Sequence, residues 1–233
     1  MTETDQQRHY RLLREHADEQ DAQEVERSFS TARIHIQLKT RKWVIPANYF
    51  SPMNMTGSEV LERRSFGFKI FFPNFEGFDK ENWRKGWFDE RRIDIVEVSL
   101  VDKTELVPNL GGGSDLVSPA AYGDPNAQFE NIKPMLADKP ELRKYGLVGY
   151  QLRNGHSIVW SAHRSNGEFF FFFTYADPEV RPASPGTYPL CDVRYYSAIE
   201  DMFVAYRYSS NHIAQWREID DGVWKKLHEW EVR

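Results

Sequence analysis

The sequence has 233 residues, 40% of them hydrophobic, 28% charged and 15% aromatic, a composition typical of folded globular proteins and unlike that of disordered or fibrous chains. Its mean hydropathy is −0.65, no run of about 18 apolar residues predicts a transmembrane helix, and residues 1–21 lack the zones of a secretory signal peptide. The net charge of −5, from 30 basic and 35 acidic residues, disfavours nucleic-acid binding by phosphate neutralisation.

The first 28 residues are rich in Glu, Gln, Arg and Ala. Tyr10, Leu13 and Ala17 recur at helical spacing among polar residues, so the segment predicts a helix with a thin apolar stripe. Four arginines stand against eight carboxylates in this segment, a net charge of −4. We therefore expect a charged helical appendage over residues 1–28 and a single domain over residues 29–233.

The pattern of apolar residues then changes to a period of two, which is typical of β-strands. Four segments show it or are rich in β-branched residues: 34–38, Trp43 to Ile45, Phe66 to Phe72, and Ile93 to Val101. A short helical stretch is predicted between the last two, around Asp79 to Trp87.

Residues Thr104 to Gln128 contain four glycines and three prolines, a composition that favours neither a helix nor a central strand. The segment predicts a long loop. Loops of more than about 12 to 15 residues are often either functional or disordered, so it is a candidate contact surface as well as a candidate mobile insertion.

Two Asn-Gly pairs, Asn154-Gly155 and Asn166-Gly167, predict hairpins with two-residue type I′ turns. The resulting meander has strands at about 147–153, 156–165 and 168–175. The last strand contains five consecutive phenylalanines, Phe169 to Phe173, which place aromatic rings on both faces. We expect this strand to be central, with each face of the sheet covered.

A further hairpin is predicted at Glu200-Asp201, between strands at about 193–199 and 202–208. The chain then predicts a C-terminal helix with Ser209, Ser210 or Asn211 as its cap. Its apolar positions are spaced by three or four and require a sheet to pack against: Ile213, Trp216, Ile219, Val223, Leu227 and Trp230. The predicted fold class is α+β, a mostly antiparallel sheet with this helix packed on it.

No spacing of residues indicates a metal centre or a nucleophile. His156 and His163 lie seven residues apart on one predicted strand, so their side chains point to opposite faces and cannot share an ion. The single cysteine, Cys191, has no histidine near it in the sequence and is expected to be an inert, buried side chain. We therefore expect no metal, no cofactor and no catalytic residues.

Two alternatives remain open at this stage. An active site, hydrolase-like in type, can be assembled from residues distant in the sequence, such as His156, His163, Asp192 and neighbouring tyrosines. Aromatic residues beside arginines can also form a surface platform for bases or sugars instead of packing in the core. The candidates for such a platform are Tyr195, Tyr206 and Tyr208 with Arg194 and Arg207.

Residues Ala205 to Tyr208, His212, Gln215 to Asp220 and Leu227 resemble the C-terminal end of small proteins of Gram-negative bacteria associated with toxin effector and immunity loci, such as those of type VI secretion. Trp43 to Pro46 and Glu81 to Trp83 are similar in kind. The resemblance implies a non-catalytic protein that neutralises a cognate toxin by binding it. It also implies a periplasmic location, with anchoring through an upstream segment, whereas the lone cysteine is equally compatible with the cytoplasm.

The expected partner is thus a cognate protein toxin, with no role for nucleic acid and no membrane span in this chain. The predicted contact residues lie in the long loop: Tyr122 as an aromatic anchor, flanked by Asp115 and Asp124. Carboxylates on an inhibitor complement a basic toxin cleft. The acidic helix over residues 1–28 is the competing contact site.

Overall fold

The structure is a computed structural model that describes residues 33–38, 40–50, 61–62, 65–79, 94–101, 125–174 and 190–232. Three predicted elements lie wholly or largely outside these ranges: the charged helix over residues 1–28, the helical stretch around residues 79–87, and residues 104–124 of the predicted loop.

Two sheets organise the described part of the chain. Their strands are β1 (Arg33–Leu38), β2 (Arg41–Pro46), β3 (Leu61–Glu62), β4 (Ser65–Phe71), β5 (Ile95–Val101), β6 (Leu142–Lys144), β7 (Leu147–Gln151), β8 (Ile158–His163), β9 (Phe169–Thr174), β10 (Leu190–Ser197), β11 (Met202–Ser209) and β12 (Glu231–Val232). The larger sheet has eight strands in the order β4-β5-β11-β10-β9-β8-β7-β6, all antiparallel. The smaller has the order β12-β2-β1-β3, with one parallel pair, β1 with β3. The predicted α+β class with a mostly antiparallel sheet is confirmed.

Strand β9, which carries the five phenylalanines, is central as predicted, with four strands on one side and three on the other. Alternate rings enter different clusters. Phe170 and Phe172 lie in the main core, whereas Phe171 lies in a second cluster on the opposite face. Both faces of the strand are therefore packed against other residues, as predicted. A sheet with one solvent-exposed face would expose several of these rings.

Helix α1 (Pro125–Ile132) covers the face of the sheet that contains Phe171. The ring centroids of Phe129 and Phe171 are 5.7 Å apart. The extension of the predicted loop to Gln128 is therefore wrong at its end, because residues 125–128 form the first turn of α1. Proline suits this position, since its fixed φ is compatible with the first turn of a helix, where its missing N–H is not needed.

Both hairpins at the Asn-Gly pairs are present, but the predicted type I′ turns are wrong. In each turn the glycine has positive φ, +72° at Gly155 and +88° at Gly167, whereas neither asparagine does. The Asn154 and Asn166 side-chain oxygens instead accept hydrogen bonds from the backbone N–H two residues on, both at 3.0 Å. These local bonds hold the asparagines in ordinary backbone geometry and lengthen the turns.

The C-terminal helix α2 (Trp216–Trp230) follows a 3₁₀ helix over Ser210–Gln215, whose N-cap is Ser209. All six predicted apolar positions are buried. Trp216 packs on Phe170 of the large sheet, with ring centroids 5.3 Å apart, and Trp230 packs on Phe68 at 5.2 Å. The chain then passes directly into β12, which pairs with β2 of the small sheet.

The main core lies between the large sheet on one side and α2 with the small sheet on the other. This arrangement places the turns of the β8–β9 and β10–β11 hairpins beside α2, where polar side chains lie at the edge of the main core. Among the described residues, no helix is both long and apolar enough to cross a membrane.

Candidate functional site

A buried ion pair joins the large sheet to α2. Arg164, just after β8, donates from Nε to Oδ2 of Asp220 on α2 at 2.8 Å. Both side chains are almost inaccessible, at 5% and 1% exposure. A buried charge is costly unless it is paired and hydrogen-bonded, so the surrounding groups are expected to satisfy both members.

The surrounding aromatic side chains do satisfy the pair. Oδ1 of Asp220 accepts hydrogen bonds from the hydroxyls of Tyr195 at 2.9 Å and Tyr206 at 2.8 Å. The Arg164 guanidinium lies 5.0 Å from the ring centroids of both Tyr195 and Trp224, within cation–π range. The Trp224 indole N–H donates to the Tyr195 hydroxyl at 2.5 Å.

Burial sets the protonation of this network. Desolvation raises the pKa of Asp220 above that of a solvated carboxyl, against the opposing attraction of the Arg164 guanidinium. The pKa values of Tyr195 and Tyr206 are raised for the same reason, with the Asp220 charge adding to the effect. Both phenols therefore stay protonated and keep donating to the carboxylate.

Glu168, at the end of the β8–β9 turn, connects this turn to the β10–β11 turn through hydrogen bonds. It accepts hydrogen bonds from Arg164 at 2.6 Å, from the Ser197 hydroxyl at 2.9 Å and from the backbone N–H of Ile199 at 3.1 Å. Burial alone would raise the pKa of this carboxyl, but these bonds and the one from Asn166 hold it below its ordinary value. The β8–β9 and β10–β11 turns are thus one connected unit.

An open groove of about 640 Å³ lies between these two turns and α2. We call it the turn groove. The turns contribute Ser165, Asn166, Ile199 and Glu200, and α2 contributes Asp221, Trp224, Lys225, His228 and Glu229, with Arg164 beneath. Ile199 is 63% exposed, the most exposed large hydrophobic side chain among the described residues.

Further contacts fix the groove wall around Glu200. The carboxylate of Glu200 lies 2.9 Å from Nε2 of His228, and its backbone carbonyl accepts from Arg41 at 2.8 Å. Arg41 also forms a two-point ion pair with Glu231, which raises the pKa of the guanidinium. On the other wall, the Ser165 hydroxyl donates to Asp221 at 2.8 Å.

The predicted contact residues Asp115, Tyr122 and Asp124 lie outside the described residues, and their role stays a prediction. The structure does not bring together the alternative catalytic set. His156 lies in a turn and His163 at the far end of the adjoining strand, roughly 20 Å away at about 3.3 Å per residue. Asp192 is instead paired with two arginines, Arg194 at 2.8 Å and Arg207 at 3.4 Å.

The prediction of an aromatic surface platform is wrong. Tyr195, Tyr206 and Tyr208 are 1–2% exposed and belong to the main core. Cys191 is fully buried beside them, and burial raises the pKa of its thiol, which opposes formation of a reactive thiolate. Within the described ranges, no group of three or more His, Cys, Asp or Glu side chains is arranged to hold a metal ion.

The buried network around Arg164 and Asp220 was not predicted from the sequence, although the position of Asp220 indicated a buried charge. Asp220 follows Trp216 by four residues and precedes Val223 by three, so it lies on the apolar face of the predicted helix. A carboxylate there requires a buried cation or hydroxyl donors. Which arginine would supply the charge depends on the fold.

No family model matches the sequence, and no curated protein matches it either. A solved structure does match the fold: an immunity protein of the Stenotrophomonas maltophilia type IV secretion system. The fold is similar to that of an immunity protein. The TM-score is 0.57 at 13% identity, over 87% of this chain and 94% of that chain. The likeness agrees with the resemblance to immunity proteins seen in the sequence, but it concerns a type IV system and gives the type VI association no support.

Proposed function

We propose that this chain is an immunity-type protein that neutralises a cognate bacterial toxin by binding it directly. The observation that carries the proposal is the fold, which is similar to that of an immunity protein over nearly the whole length of both chains. The resemblance at the C-terminal residues, made from the sequence alone, points to the same class.

The chemistry of the described residues supports binding over catalysis. The buried titratable groups are engaged in internal bonds: Asp220 with Arg164 and two tyrosines, and Asp192 with two arginines. The Cys191 thiol is enclosed in the core. These groups stabilise the fold, and none of them points into the turn groove as a free acid, base or nucleophile.

The proposal includes a location and a mode of action. The toxin partner and this chain meet in the periplasm, where an immunity protein can intercept a toxin delivered by a neighbouring cell. Asp115, Tyr122 and Asp124 remain proposed contact residues. Neutralisation then requires that this chain occupy the toxin surface. It requires no chemical reaction by this chain.

The test is co-expression of the chain with the product of the reading frame adjacent to its gene, followed by affinity purification and size-exclusion chromatography. A stoichiometric complex is expected. An unrelated protein of similar size and charge serves as the control for non-specific retention. Separate elution of the two purified proteins at micromolar concentration contradicts the proposal.

A further inference from the structure

The turn groove is unusual in how firmly its exposed walls are fixed to the core. Surface turns are ordinarily the more mobile parts of a fold. Here the β8–β9 turn is tied to α2 through the buried Arg164–Asp220 pair and again through Ser165 and Asp221. The β10–β11 turn is tied to the first turn through Glu168. Rigid loops of this kind lose little conformational entropy on binding.

The groove also combines an apolar anchor with an acidic rim. The side chain of Ile199 is exposed on a turn whose backbone N–H is held by Glu168. Glu200, Asp221 and Glu229 contribute three carboxylates, against one lysine in the lining, Lys225. Glu200 is paired with Arg41 and Glu229 with Lys226, whereas Asp221 accepts from the neutral Ser165 hydroxyl. The Arg164 charge beneath the groove is balanced by Asp220 and Glu168.

We propose that the turn groove is a docking surface for a basic segment of a protein partner, with Ile199 as the apolar anchor. This inference rests on the proposed function and adds a contact surface among the described residues to the contact residues predicted from the sequence, Asp115, Tyr122 and Asp124. A lysine- or arginine-bearing loop of the toxin complements the carboxylates and increases the association rate. An apolar residue on that loop covers Ile199, because a few central contacts surrounded by a polar rim supply most interface energy.

The test compares single substitutions in binding to the purified product of the adjacent reading frame, at low and at high salt. Ile199→Arg places a cation at the anchor and is expected to weaken binding about 30-fold, as loss of a strong anchor does. Lys225→Glu removes the opposing charge and is expected to strengthen binding about threefold at low salt, with the gain lost at high salt.

Leu190→Arg is the matched control. Leu190 is an exposed leucine at the opposite end of β10, about 23 Å from Ser197 at 3.3 Å per residue, and Ile199 follows Ser197 in the β10–β11 turn. The Leu190→Arg substitution adds the same charge as Ile199→Arg and is expected to leave the affinity for the partner within about twofold of wild type. Thermal unfolding of all three variants verifies that each one is folded.

The outcomes separate the two proposals. If the wild-type chain binds the partner and Ile199→Arg weakens binding no more than Leu190→Arg, the groove is not the docking surface and the proposed function stands. Weaker binding by Lys225→Glu overturns the requirement for a basic partner segment. A wild-type chain that does not bind the partner overturns both proposals.

Discussion

Replacing Asp220 by Asn tests whether the buried ion pair holds α2 to the large sheet. The amide oxygen of Asn can still accept from Tyr195 and Tyr206, but the amide N–H₂ then faces the Nε–H donor of Arg164, where the carboxylate oxygen accepted at 2.8 Å. Among the described residues, the guanidinium then keeps only Glu168 as an ionic partner. Removing one member of a buried pair costs about 3 to 5 kcal/mol, and because Glu168 still compensates part of the Arg164 charge, we expect a cost toward the lower end of this range.

The expected cost converts into a measurable change in melting temperature. For a domain of roughly this size, each kcal/mol shifts Tm by about 2 to 4 °C, so Asp220→Asn is expected to lower Tm by about 6 to 20 °C. The assay is thermal and urea unfolding followed by circular dichroism at neutral pH. Asp221→Asn, next along the helix and exposed, is the control: its amide oxygen can still accept from the Ser165 hydroxyl, so stability should change by less than about 0.5 kcal/mol.

A double variant separates the pair from its surroundings. Arg164→Met combined with Asp220→Asn removes both charges, so the two changes should cost less together than the sum of the single variants. Unfolding of Asp220→Asn within about 1 kcal/mol of wild type would refute the role assigned to this pair.

Three further predictions concern packing and pH. Trp216→Ala should cost about 3 to 5 kcal/mol in urea unfolding, because the ring is buried against Phe170. Gly222→Ala should destabilise by about 1 to 3 kcal/mol despite alanine's higher helix propensity, because a Cβ there lies 2.1 Å from the Phe75 ring; an unchanged Tm would contradict this contact. Glu168→Gln should lose most stability, relative to wild type, above about pH 4.3, where the carboxyl is ionised in both states. Because the pKa of Glu168 is lower in the folded state, the difference in unfolding free energy between variant and wild type should shrink as the pH falls from about 4.3 through the folded-state pKa. A constant difference in unfolding free energy from pH 7 to pH 3 would exclude this linkage.

The sequence predicted the elements whose apolar residues follow a clear period. The run Phe169 to Phe173 required a central strand with both faces covered, and the stripe that includes Trp216 and Trp230 required a helix on a sheet. Both requirements come from local burial, which a period reveals directly.

Features that depend on hydrogen bonds between side chains and the backbone, or on the tertiary fold, were not predicted from the sequence. The asparagines at 154 and 166 bond to the backbone two residues on, which changes the turn type while keeping both hairpins. Residues 125–128 follow a segment rich in Gly and Pro, so the predicted loop includes the first turn of α1, although Pro125 is compatible with a helix start.

The candidate site was less predictable still, because its members are far apart in the sequence. Arg164 meets Asp220 across 56 residues, and Glu168 meets Ile199 across 31. Arg164 and Glu168 are residue types common on protein surfaces, and Asp220 differs from them only by its position on the apolar face of the predicted helix. Only the pairing of β8, β9, β10 and β11 brings the two turns to one end of the sheet beside α2.

The central claim, toxin neutralisation by binding, is tested most directly by growth rescue. The product of the adjacent reading frame is expressed from an inducible promoter, directed either to the cytoplasm or to the periplasm, with and without this chain in the same compartment. The account predicts that the partner alone stops growth in the periplasm and that co-expressed wild-type chain restores it, whereas an unrelated protein of similar charge does not. Growth arrest that persists in the presence of folded, co-localised chain would contradict the account.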